Sequence, residues 1–156
     1  MSPRMQPRPL PFGRSNPDAV ALAIDALRAA GLGWVNLRPD LGEDLPPPPK
    51  PSMFSGRGPL WPLITVSAGA RSRRASMPTM VGIEHGNGPR ARQHLAKQGL
   101  DIYPGWLVRQ DHGKRGLVLA VPDTTTSAEI LTWALAAAGS LCRYNLPETW
   151  HADVWS

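Results

Sequence analysis

The sequence predicts a small single domain of the α+β class, on three observations. Residues 79–156 carry helical and strand periods in the order β-α-β-β-α-β, the split-βαβ, ferredoxin-like arrangement. That half holds seven basic and seven acidic side chains, while the whole net charge of +5 and fourteen of the eighteen prolines lie in residues 1–78. A length of 156 residues suits one core with additions rather than two. The expected organisation is a disordered basic, proline-rich tail over 1–15, then a helix and strand over 16–38 packed on the core. A proline-rich linker over 39–58 and an edge strand with an arginine-rich loop over 59–78 lead into the α+β core over 79–156.

The first helix is announced by Asn16-Pro17-Asp18: an N-cap residue, a proline suited to the first helical position and an acid facing the positive end of the helix dipole. Val20, Ile24 and Leu27 share one face, and Gly31 stands where a left-handed cap is wanted. Trp34-Val35-Asn36-Leu37 reads as a short strand stopped by Pro39. Pro46, Pro47, Pro48 and Pro49 then force an extended polyproline II segment, a linker or a ligand. Leu63 to Val66 is β-rich, but Pro59 and Pro62 suggest the start of a strand or an edge.

From Thr79 the pattern tightens. Met80 to Glu84 reads as a strand, and Gly86-Asn87-Gly88-Pro89 turns the chain into a helix running to about Gln98, capped by Gly99. Trp106 to Gln110 and Leu117 to Val121 form a hairpin around the glycine-bearing loop 111–116. Thr126 and Glu129 spell a capping box for a broad-faced helix along which Ile130, Ala134, Ala137 and Leu141 align. Trp150 to Trp155 alternates large and small residues as a closing strand does.

In the four-stranded split-βαβ order the closing strand lies beside the first, which would bring Glu84, His85 and His151 together. Alternation sends Val81, Ile83, Ala152 and Val154 toward the helices and leaves Met80, Glu84, His151, Asp153 and Trp155 on the opposite face. That face is partly apolar and asks for a cover, for which the N-terminal helix with its strand is the first candidate, beside a second copy of the protein or a different partner.

Motifs of known chemistry are missing. One cysteine, Cys142, excludes an intramolecular disulfide and a cysteine-based zinc site. Glu84, His151 and Asp153 have the residue types of a metal or acid–base site but no ligand spacing, and His112 beside Asp111 reads as loop surface. The Gly86 to Pro89 turn lacks the lysine and hydroxyl of a P-loop. The residues favour a non-catalytic interaction or assembly module with no cofactor, docking a protein partner or its own copy through the open sheet face or the polyproline run. The alternative is nucleic-acid binding through the N-terminal arginines, with Arg71, Arg73, Arg74, Arg90 and Arg92 as phosphate contacts, although the core half is neutral. A small enzyme or metal-binding protein is the least favoured expectation. Fourteen arginines against three lysines point to a GC-rich bacterial origin. The absence of a secretory or membrane-length apolar run points to the cytoplasm.

Overall fold

The computed structural model describes residues 6–42, 56–70 and 77–156. The polyproline run Pro46–Pro49 and the arginines Arg71, Arg73 and Arg74 lie outside these residues. Ten elements are described: β1 (Arg8–Gly13), α1 (Asp18–Ala30), β2 (Trp34–Pro39), β3 (Leu63–Ser67), β4 (Thr79–Glu84), α2 (Ala91–Lys97), β5 (Leu107–His112), β6 (Gly116–Val121), α3 (Ser127–Leu141) and β7 (Thr149–Trp155). The strands form one seven-stranded antiparallel sheet in the order β1-β7-β2-β3-β4-β6-β5. The protein is thus a mixed α+β domain, as the periodicities indicate.

Residues 79–156 supply the expected order of elements, but the sheet is not closed as the four-stranded order requires. The β2–β3 hairpin inserts between β7 and β4, so the closing strand pairs with β1 and β2 instead of with β4. An antiparallel hairpin occupies two strand positions, so the insertion leaves β7 antiparallel to β4 and keeps the direction of the chain unchanged.

Three local expectations change with it. Residues 8–13, expected within a disordered tail, form edge strand β1 against β7. Pro9 and Pro11 are two apart, so both missing donors point the same way, outward, while Arg8, Leu10 and Phe12 keep theirs for β7. The same spacing denies a pairing edge to another strand. β3, expected at an edge, is the central strand, because Pro62 falls just before it and leaves every N–H from Leu63 to Ser67 available. Helix α1 starts at Asp18 with Pro17 in the N-cap position, so Asn16 is one residue too early to cap it.

The helices assemble by complementary means. Gly31 closes α1 in the left-handed region (φ 65°), and α1 buries Val20, Ala23, Ile24 and Leu27. In α3 the capping box is complete: Glu129 N–H donates to Thr126 Oγ1 at 3.1 Å and Thr126 N–H to Glu129 Oε2 at 3.3 Å. Ala134, Ala137 and Ala138 are wholly buried and let α3 approach the sheet closely. Trp106 and Trp133 meet edge to face at 5.2 Å, and fully buried Trp150 donates its indole N–H to Pro147 O at 3.0 Å. Together with Val81, Ile83, Ala152 and Val154 these residues make one continuous core.

Helix α1 packs against α3, which itself lies on α2 and the sheet, so all three helices share one face. The expectation that α1 covers the opposite face therefore fails. Its apolar stripe is already used on the helical side, and its companion strand β2 joins the sheet rather than lying across it.

Candidate interaction face

The uncovered face is ordered in three rows by the strand registers. The first runs Trp155, Trp34, Ser67, Met80, Ala120 and Leu107 across β7, β2, β3, β4, β6 and β5. The second runs Pro9, Asp153, Asn36, Thr65, Gly82, Val118 and Gln110. The third carries Pro11, His151 and Arg38 on one side and Leu63 and Glu84 on the other. The first row is apolar apart from Ser67, and it ends at Leu107, which is 56 % exposed. Among the described residues no helix covers this row, and an exposed apolar patch of this kind marks a docking site.

The residues expected on this face are placed as follows. Met80 is half-buried between Ser67 and Ala120. Trp155 stacks on Trp34 with ring centroids 5.5 Å apart and planes 14° from parallel. Its indole N–H is buried without an acceptor. Asp153 Oδ2 meets Arg38 Nε at 3.6 Å, and His151 Nε2 meets Asp40 Oδ2 at 3.1 Å. Asp40 is held below the usual carboxylate range chiefly by the Gly42 N–H, which reaches Oδ1 at 3.0 Å; desolvation opposes the shift, and His151 and then Arg38 add to it. Glu84 is exposed, and no ion pair to it is present among the described residues.

The corner of Glu84, His85 and His151 is not assembled. β7 and β4 are three strand positions apart, about 14 Å at the spacing of a sheet. His85 also follows Glu84 in the alternation and sits on the helical side, only 1 % exposed. Asn87 N–H donates to its Nδ1 at 3.2 Å, and its Nε2 is buried without a partner. Burial is the main force lowering its pKa; the Asp111 carboxylate opposes that shift and His94 adds to it. No group of three or more His, Cys, Asp or Glu is placed to hold a metal among the described residues.

The arginines near α2 are divided. Arg92 Nε pairs with Asp101 Oδ1 at 3.3 Å, and exposed Arg90 precedes the helix in the left-handed region (φ 65°). Asp111 is the side chain that closes this helix start, accepting from Ala91 N–H at 3.0 Å and Arg92 N–H at 3.1 Å. The expectation of loop surface at Asp111 therefore fails, and the charged side of α2 is not wholly turned to solvent either. His94 Nε2 instead donates to Ser140 O at 3.0 Å and ties α2 to α3. His112, the last residue of β5, accepts at Nδ1 from the N–H groups of Lys114 and Arg115, both at 3.1 Å, and shapes the turn.

No family model, curated protein or solved structure matches this chain. The functional reading therefore stands on geometry.

A cleft of about 600 Å³ opens between α1, the β6–α3 connection and the described ends of the β3–β4 connection. Its polar groups satisfy one another: Ser127 Oγ donates to Asp25 Oδ1 at 2.5 Å, and Arg28 donates to Ser127 Oγ and Asp123 O, both at 3.3 Å. Ser127 itself is only 1 % exposed, and among the described residues no imidazole or thiol lines the cleft. The open face, by contrast, has unspent apolar area. Among the described residues no helix is long and apolar enough to cross a membrane.

Proposed function

We propose that this protein is a non-catalytic interaction module that binds a protein partner through the uncovered face of its sheet. The observation that carries this reading is the placement of all three helices on one side, with the row Trp155, Trp34, Met80 and Leu107 left on the other. Aromatic residues and methionine are enriched at the centre of interfaces, the rings because they bury much area at small entropic cost and methionine because its flexible thioether adapts to the partner. The polar rows beside them supply direction: Arg38, Asp153 and Asp40 contribute charges, and the His151 imidazole a hydrogen-bonding group, that match one partner and disfavour others. The Pro46–Pro49 run is a second docking element of the same proposal, suited to an aromatic groove.

The test is affinity capture from the native host with the wild type and with Met80→Arg, each shown to be folded by circular dichroism. A protein retained at high salt by the wild type and lost from the variant supports the face. Identical proteins on both, or only nucleic acid that leaves at high salt, overturns it.

A further inference from the structure

The open face is nearly self-complementary about its central strand. β3 is fourth of seven, with β2, β7 and β1 on one side and β4, β6 and β5 on the other. Consider two copies stacked sheet to sheet, related by a two-fold axis along β3. Such an axis preserves each row and exchanges β2 with β4 and β7 with β6.

In the first row Trp34 then faces Met80 of the second copy, and Trp155 faces Ala120, large against small. In the second row Asn36 faces Gly82. In the third, Arg38 faces Glu84, an exposed acid with no ion pair of its own among the described residues. Each such contact occurs twice, as an isologous interface requires. Asp153 falls opposite Val118, where its charge is already balanced by Arg38 of its own chain at 3.6 Å.

We propose that the occupant of this face is a second copy of the same chain, packed face to face with Arg38 against Glu84 in both directions. The proposal rests on the open face being the docking surface. The dimensions allow it: seven strands at about 4.8 Å and three rows at about 6.8 Å give roughly 700 Å² per copy. Stable interfaces bury about 600–1,000 Å² per partner. Twisted sheets pack with strands some 30° apart, so the rows stay in register near β2, β3 and β4 and diverge toward β1 and β5. The apolar row provides the association, and the charge pairs select the orientation.

Sedimentation of the full-length chain, from about 1 to 200 μM, reads the outcome directly. The wild type sediments as a dimer, and Arg38→Glu and Glu84→Arg each weaken it at least tenfold by placing like charges together. Mixing the two variants restores the dimer mass, because each faces its complement, and so does the double charge swap in a single chain. Circular dichroism confirms that every species is folded, and Met80→Arg supplies a disruption independent of the charges. A wild type monomeric throughout overturns the second copy alone and leaves the capture experiment to judge the face. A dimer indifferent to Met80→Arg overturns the face, and with it both proposals. A mixture of folded charge variants that stays monomeric overturns the proposed pairing.

Discussion

Trp34 of β2 and Trp155 of β7 stack at 5.5 Å, nearly parallel, at one end of the uncovered sheet face. Between them they close a register that also pairs Val35 with Val154 in the core, so one strand pair has an aromatic outer surface and an aliphatic inner one. The stack shields the indole N–H of Trp155 without giving it an acceptor, a cost accepted where the ring itself is useful.

Trp155→Ala removes a half-buried ring and its stacking contact with Trp34. A stability loss of about 2 kcal/mol is expected, below the full-burial range because one side faces solvent. Trp155→Phe retains most of it. Urea unfolding with matched m-values checks both.

Asp111→Ala leaves two backbone N–H groups at the start of α2 without their acceptor. The expected cost is about 1–2 kcal/mol, as for loss of a helix cap. Hydrogen exchange accelerates over residues 91–97 before it does in β4 or β6, since α2 is the shortest of the three helices and depends on this cap.

His85 makes stability depend on pH. Its folded pKa is lowered mainly by burial, whereas the unfolded ring titrates near 6.5. Between the two values the unfolded chain holds more protons, so stability is complete above about pH 6.5 and is lost as pH falls through that window. Protonation would also set an Nδ1 hydrogen against the Asn87 N–H. Melting temperatures of the wild type are expected to fall between about pH 7.5 and 5 more steeply than those of His85→Asn, which keeps an acceptor for Asn87. Equal slopes would remove His85 as the source. Asp40 and Glu148, both lowered by hydrogen bonds, act in a separate window: their contribution is present above the ordinary carboxylate values and is lost in more acid solution.

Gly33→Ala tests how tightly the α1–β2 turn is seated on β7. Gly33 has φ 98°, and an added Cβ would lie 2.3 Å from the Trp155 carbonyl oxygen. Both the conformation and the contact forbid a side chain, so a loss of about 2–4 kcal/mol is expected, beyond the usual cost of strain alone. Thermal unfolding beside Gly42→Ala separates the two causes, because Gly42 has φ 67° with nothing near its added Cβ among the described residues.

The sequence alone determined the local elements of residues 79–156, because each is written in near neighbours. Thr126 and Glu129 are three apart, the alternation of Trp150 to Trp155 has a period of two, and glycines flank the β5–β6 turn. It also set which of the closing strand's residues face inward: Trp150, Ala152 and Val154 are buried and His151, Asp153 and Trp155 are not fully so. Strand order was beyond its reach. Any antiparallel hairpin fits between two strands that run in opposite directions, so nothing in Trp34 to Leu37 or Leu63 to Val66 tells whether they cap the sheet, cover it or enter it. Only the tertiary structure decided that they enter it between β7 and β4, and that choice separated His151 from Glu84 while placing Arg38 and Glu84 at equal distances from the central strand. The open face is legible one strand at a time in the sequence; its three rows exist only once long-range pairing has aligned the strands.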